Sequence, residues 1–346
     1  MKSNMVIMGG LMLGLVILSS CNSRPDFKTP VEAIEGCRHQ LEVLKGKQQV
    51  SIEELTDLTS GWMEIQDSAY SVFARDSSLT LKSPIALSYF MTSDSIKKEI
   101  TRLALQGQRS LSDVMYIKLN AVRNREKIQA TDTYKEAESF FKDLDNNGIY
   151  PSLDEALPKY FKILKLAGNI RNEKQLLSFI AEEDKCFRSI MANLCYIPTP
   201  KLQQLTEMTG KALDGLYYIV GKGHNEVNDR TMLYLTMRFN RRIILNAETC
   251  QNDVNRNKKL NNDQKANYRW MLVQPYISID DYSTSVLTTE QKDKLMELSK
   301  ALPKLLEKLG AERESNNGVN NLTDVLATYF MKSFLQYCVK LTFNRL

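Results

Sequence analysis

The chain has 346 residues with a formal net charge of +5, and 43% of its residues are apolar and 25% are charged. This is the composition of a globular protein, long enough for one large domain or two smaller ones. Positive and negative side chains alternate along the sequence and form no basic tract, so nucleic acid is not an expected partner.

The first twenty residues have the layout of a secretory signal peptide. Lys2 precedes an apolar stretch over residues 5–18, and small residues follow it. As a helix this stretch would be about 21 Å long, whereas the hydrocarbon core of a bilayer is roughly 30 Å thick. Residues 1–20 are therefore predicted to be a signal peptide and not a stable membrane span.

The apolar stretch ends in Leu18-Ser19-Ser20-Cys21, which resembles the lipobox of bacterial lipoproteins. The resemblance covers only these four residues. It implies cleavage before Cys21, a diacylglycerol on the Cys21 thiol and an acyl chain on the new amine. Two or three acyl chains would hold the protein at its membrane, since each buried methylene contributes about 0.8 kcal/mol and one chain alone binds marginally. A soluble exported protein and an uncleaved N-terminal anchor are the alternatives.

Residues 21–30 are predicted to be a lipidated tether that leads to a helical domain over residues 31–346. The tether is polar and lacks the acidic run that directs some Bacteroidetes lipoproteins to the cell surface. The Asn- and Lys-rich composition is similar to that of the same phylum. We therefore expect an outer membrane lipoprotein that faces the periplasm rather than the cell surface.

Helix start signals recur along this domain. Thr29 and Pro30 combine a capping side chain with a proline at the first helical position, and Glu32 would complete a capping box. Ser51 with Glu54 opens a second helix in the same way. Further starts are predicted at Ser83, Ser93, Ser110, Thr131, Ser152, Thr199, Asn228 and Thr288. Left-handed helix ends are predicted at Gly107, Gly148, Gly168, Gly221 and Gly310.

The predicted fold class is all-α, with about ten mostly antiparallel helices in a bundle or an irregular helical array. Only residues 276–279 have a strand-like pattern, and Pro275 before them favours an irregular connection. A subdivision of the domain is plausible near residues 146–151 or 197–200.

The cysteines show no disulfide framework. The five after Cys21 are Cys37, Cys186, Cys195, Cys250 and Cys338, an odd number without regular spacing. On one helix Cys186 and Cys195 would lie about 13 Å apart along the axis and on opposite faces, too far to form a bridge. No cluster of cysteine and histidine offers a zinc site.

One loop resembles the calcium loop of an EF-hand. Asp143, Asp145 and Asn147 occupy loop positions one, three and five, and Asp154 occupies position twelve. Oxygen ligands on alternate residues, with a glycine at position six, allow a loop to surround Ca²⁺. Pro151 at position nine departs from the pattern, and Asp154 is shorter than the usual glutamate.

The same residues allow a simpler interpretation. Asn147 and Gly148 would end one helix, and Ser152 with Glu155 would form the capping box of the next. A cofactor is therefore not expected, with Ca²⁺ as the alternative.

Arg238, Arg241 and Arg242 form a candidate anion site. Together with Tyr234 they are spaced by three or four residues, which places them on one face of a helix. Guanidinium groups on a groove could bind a carboxylate or a phosphate in a bidentate manner. The alternative is that this face is solvated or paired with acidic residues of a neighbouring helix.

No arrangement of residues indicates a catalytic nucleophile. His224, Glu226 and Asp229 follow the glycine-rich loop at residues 221–223, but that loop lacks the preceding strand of a phosphate-binding motif. The predicted function is binding or scaffolding of another envelope protein, at a membrane reached through lipid on Cys21. The alternatives are a ligand or cation receptor that uses the Asp143 loop or the Arg238 face and, less favoured, an enzyme.

Overall fold

A computed structural model describes residues 25–310, except residues 77, 80–82, 107–109, 123–124, 206, 210–211, 213–224 and 280. All regular structure in this part of the chain is helical, which confirms the predicted all-α class. Cys21, Gly107, Gly221, His224 and Cys338 lie outside the described residues.

The helices are α1 (Pro30–Lys45), α2 (Ile52–Arg75), α3 (Pro84–Gln106), α4 (Leu111–Asn120), α5 (Arg125–Gln129), α6 (Asp132–Asn146), α7 (Leu153–Leu166), α8 (Glu173–Met191), α9 (Asn225–Asn255), α10 (Asn262–Ser278), α11 (Asp281–Ser285) and α12 (Thr289–Lys308). Residues 199–205 are also helical, and short 3-10 turns occur at Ala167–Asn169 and Leu194–Tyr196. Among the described helices, none combines the length and the apolar character needed to cross a membrane.

Most of the predicted helix starts are confirmed. A side-chain oxygen accepts the backbone N–H three residues further on at Thr29, Ser51, Ser110, Thr131, Ser152 and Thr288. The capping box predicted at Thr29 differs in detail. The Glu32 carboxylate accepts the backbone N–H of Lys28, the residue before the cap, at 2.8 Å. Each cap satisfies a donor that the helix itself leaves free.

Two predicted starts are wrong, because the helix continues through them. Ser93 is fully buried within α3, and its neighbours Tyr89 and Ile96 are also buried on that face. Asn228 lies within α9. At Ser93, apolar residues on both sides favour burial of a continuous helical face, and tertiary packing then outweighs the local preference of a short polar side chain for a helix start.

The prediction of an irregular connection at residues 276–279 is wrong in part. Pro275 lies inside α10, and the helix continues to Ser278. A proline near a helix end removes one backbone hydrogen bond, and burial of Tyr276 and Ile279 at the edge of the core favours continuation. The left-handed end predicted at Gly310 is confirmed by its φ of 73°, whereas Gly148 and Gly168 do not adopt positive φ.

The chain divides into two compact units at Leu103 and Ala104, within α3. In the first unit, α1 packs on α2. The fully buried Ala33, Cys37, Leu44 and Leu55 belong to its core.

The second unit contains one large apolar core. Its long helix α9 packs against α6, α8, α10, α11 and α12, and α7 packs against α8. Residues 146–151 and 197–200 both lie inside this unit, where they connect helices that contribute to the same core. Helix α9 therefore brings together side chains from helices that are far apart in sequence.

Candidate functional site

The most distinctive group of polar residues in the described structure lies on the buried face of α8. Asn172 caps the start of this helix, and its apolar stripe includes Leu176, Ile180 and Phe187. Glu183 occupies a position in the same stripe and is 1% exposed. A carboxylate in such a place has lost its water and needs charged hydrogen-bond donors from the protein.

Two arginines of α9 provide these donors. Arg238 binds Glu183 in a bidentate manner, with Nε 2.5 Å from Oε2 and Nη2 2.5 Å from Oε1. Arg242, one turn further along α9, places Nη1 2.5 Å from Oε1. The planar guanidinium of arginine matches the carboxylate geometry in this arrangement, which lysine cannot reproduce.

Tyr160 of α7 completes the cluster around Glu183. Arg242 Nη2 donates to the Tyr160 hydroxyl oxygen at 2.6 Å. That hydroxyl lies 3.3 Å from Glu183 Oε1 and 3.4 Å from Thr209 Oγ1. The guanidinium of Arg242 also stacks on the ring of Phe187, at 4.0 Å from the centroid. These contacts connect α7, α8 and α9 around one carboxylate.

A second set of ion pairs begins at the adjacent residue, Asp184. Arg188 Nε and Arg241 Nε lie 2.8 Å and 2.7 Å from its two carboxylate oxygens. Arg241 also donates to Asp145 of α6 at 2.6 Å. Arg188 donates through Nη2 to the carbonyl oxygens of Leu144 at 2.7 Å and Asn147 at 2.9 Å, so it caps the end of α6.

Burial and the neighbouring charges shift the pKa values of these groups. Burial alone would raise the pKa of Glu183, but the guanidiniums of Arg238 and Arg242 outweigh this effect and hold the pKa below its ordinary value. Burial raises the pKa of Tyr160. Burial works to lower the pKa of Arg241, but its bonds to Asp145 and Asp184 raise the pKa overall. Glu183 is thus a stable anion and a poor proton acceptor.

The chemical capacity of the cluster follows from this arrangement. A carboxylate that accepts three guanidinium N–H groups is oriented and neutralised, which suits a structural connection and not proton transfer. The ion pairs fix the register of α8 against α9 and hold α6 and α7 beside them.

The structure places the predicted arginine face against acidic residues of its own fold. Arg238 and Arg242 pair with Glu183, and Arg241 pairs with Asp184 and Asp145. Tyr234, predicted on the same face, is buried near the ring of Phe140 at 5.6 Å between centroids. This arrangement corresponds to the alternative interpretation, in which the arginine face pairs with acidic residues of a neighbouring helix.

The residues of the predicted calcium loop occupy two helices and the turn between them. Asp143 and Asp145 lie in α6, and Asp154 lies in the first turn of α7. The backbone carbonyl of Asn147 accepts a hydrogen bond from Arg188, and the carboxylate of Asp145 accepts one from Arg241. Both partners are cations, which is unfavourable for a bound metal ion. Within the described part of the chain, no three side chains of histidine, cysteine, aspartate or glutamate are grouped so that they could hold a metal ion.

Sequence reasoning missed the acidic members of the cluster. Glu183 and Asp184 sit in the run Glu182-Glu183-Asp184, which by composition alone resembles an exposed helical face. The available signal was periodicity, because Glu183 falls on the apolar stripe that contains Ile180 and Phe187. A charged residue on such a stripe indicates a buried partner of opposite charge.

Comparisons of the chain with protein-family models, with curated proteins and with solved structures found no match. The fold and the cluster define an all-α protein with a buried structural ion-pair cluster.

Proposed function

We propose that this protein is a lipid-anchored helical protein of the bacterial envelope that binds or scaffolds another envelope protein. The observation that carries the proposal is the sequence Leu18-Ser19-Ser20-Cys21 at the end of an apolar stretch. The described body begins at residue 25, four residues after Cys21. Acyl chains on Cys21 would then hold the body at the outer membrane, on its periplasmic side.

The surface of the second unit supports a role in protein binding. Trp270 of α10 is 56% exposed and Tyr196 is 65% exposed. Large aromatic side chains are enriched at the energetic centres of protein interfaces. The arginines of the candidate anion site, in contrast, are engaged within the fold. We therefore place partner binding on the outer surface of the body and not on the arginine face.

Anchoring can be tested by fractionation of cells that express a Cys21→Ala variant. We expect the parent chain to sediment with membranes and the variant to lose mature, membrane-bound protein. Cys195→Ala is the matched control, because it removes a thiol from the body and leaves the lipobox intact. A Cys21→Ala form that matures and stays on the membrane would contradict the proposal.

Partner binding can be tested by photo-crosslinking in the native host. A benzophenone amino acid replaces Trp270 in one strain and the exposed Lys304 of α12 in a control strain. We expect one recurrent envelope protein to crosslink at position 270 and not at position 304. If neither position yields a protein adduct while the chain remains on the membrane, this surface is not the binding surface.

A further inference from the structure

The start of the described chain is attached to the first unit. The Ser68 hydroxyl donates to the carbonyl of Pro25, and the ring of Phe27 covers Gly36. A Cβ at Gly36 would come within 2.5 Å of that ring, so glycine permits this close approach. Residues 22–24 alone therefore separate Cys21 from a bound segment. Four Cα steps span at most about 14 Å.

The segment that contains Pro25 and Phe27 is attached toward one end of the first unit. The rings of Phe73, near the end of α2, and Tyr89, near the start of α3, lie 4.9 Å apart between centroids. At the other end, Arg102 Nη2 donates to the carbonyl of Leu44 at 3.3 Å. The starts of α1 and α3 and the end of α2 thus share one end of the unit, which we call the tether end.

The tether end carries exposed apolar side chains. Val31 of α1 is 54% exposed, and Leu87 and Met91 of α3 are 49% and 72% exposed. Leu87 and Met91 are one helical turn apart and therefore lie on one face. Met91 is seven residues after the start of α3 and Ser68 is seven residues before the end of α2, so each lies about 10 Å along its helix from that terminus.

The described residues give the tether end no excess of positive charge. Lys28, Arg38 and Arg75 are accompanied there by four carboxylates, those of Asp26, Glu32, Glu35 and Asp76. Lys28 pairs with Asp26, and both side chains are largely exposed. Attraction to anionic headgroups would therefore be weak, and any contact with a lipid surface would depend on the apolar side chains.

We infer that the tether end rests on the phospholipid bilayer, with Val31, Leu87 and Met91 inserted among the headgroups. The inference rests on the proposed lipidation of Cys21. An anchor of at most about 14 Å keeps this end at the interface, where amphipathic surfaces bury apolar groups about 5–10 Å deep. The bilayer is therefore a direct contact of the first unit.

The test uses the full lipidated protein in vesicles of phosphatidylethanolamine and phosphatidylglycerol. A benzophenone amino acid replaces Met91, Leu87 or the exposed Gln49, which lies between α1 and α2 at the opposite end of the unit. After irradiation, lipid adducts are quantified by mass spectrometry. We expect about tenfold more adduct at positions 91 and 87 than at 49, since only the tether end would reach the interface. Circular dichroism verifies equal helical content in the three variants.

The outcomes separate this inference from the proposed function. Equally low adduct at all three positions, in protein that is lipidated and floats with the vesicles, would overturn the membrane contact and leave the anchor intact. Adducts between two copies of the chain at positions 87 and 91 would also overturn it, because the apolar face would then be a dimer interface. Parent protein that carries no lipid and fails to float would overturn both.

Discussion

Glu183 and Arg238 form a bidentate ion pair inside the second unit, although 55 residues separate them in the chain. Their side chains are 1% and 4% exposed. Desolvation of two charges offsets much of their attraction, so such a pair adds less stability than its geometry suggests. Loss of one partner is different, because it leaves an uncompensated charge in the core.

The first prediction concerns Glu183→Gln. The substitution keeps the shape of the side chain and removes the charge that Arg238 and Arg242 share, so we expect the free energy of unfolding to fall by about 3–5 kcal/mol. Urea denaturation followed by circular dichroism measures the change. Glu182→Gln is the matched control, since Glu182 is exposed and accepts a long hydrogen bond, at 3.4 Å, from the Tyr150 hydroxyl. Equal effects of the two substitutions would show that the cluster has no special role in stability.

The second prediction is a pH dependence. The pKa of Glu183 is lowered from 4.5 in the folded protein, so its contribution to stability is complete above that value and is lost as the pH falls through the folded pKa. The stability difference between the parent chain and Glu183→Gln should therefore be constant from neutral pH to about pH 5 and shrink at lower pH. Urea titrations across this range test it. A difference that grows on acidification contradicts the predicted sign.

The third prediction compares two partners of Arg241. Asp184 is 8% exposed in its side chain and Asp145 is 59% exposed. We expect Asp184→Asn to destabilise the fold by about 2–3 kcal/mol and Asp145→Asn by less than about 1 kcal/mol, because solvent screens the exposed pair. Urea unfolding of both variants decides this. A larger loss of unfolding free energy in Asp145→Asn would indicate that the contact of Arg241 with α6 contributes more to stability than its contact with α8.

The fourth prediction concerns thiol reactivity. Burial raises the pKa of Cys37 and Cys186 to about 12 and that of Cys250 well above its ordinary value, whereas Cys195 is partly exposed. In a Cys21→Ala, Cys338→Ser background, we expect Cys195 to react first with a thiol reagent at pH 8. The buried thiols should react much more slowly. Burial raises the pKa of Cys195 as well, but its thiol is partly exposed, whereas the other three are shielded from the reagent.

The control for this experiment is the same protein in concentrated guanidinium chloride, where all four thiols should react at similar rates. Mass spectrometry of labelled peptides identifies each site. Rapid labelling of Cys186 in the native protein would mean that the face of α8 opens readily to solvent.

The sequence predicts the helices well because their signals are local. At Ser51, Ser152 and Thr288 the capping side chain and the backbone N–H that donates to it lie three residues apart, so the pattern is visible in a short window. Ser93 and Pro275 show the limit of this reasoning. Each resembles a boundary locally, but apolar residues on both sides keep the helix continuous.

The candidate site was only partly predictable. The spacing of Arg238, Arg241 and Arg242 indicates a shared helical face, and that part follows from helical geometry. Their partners Glu183 and Asp184 lie on another helix, and no local rule relates α8 to α9. Which charges meet is decided by tertiary packing, so the pairing could be named as an alternative but not assigned to residues.

If acyl chains on Cys21 hold this helical body at its membrane, as we propose, they must be present on the mature protein. Mass spectrometry of the N-terminal peptide from protein purified out of the membrane fraction tests this. We expect a peptide that begins at Cys21 and carries a diacylglycerol and an amide-linked acyl chain. A peptide that retains the leader, or one that begins at an unmodified residue, would contradict the proposed anchoring.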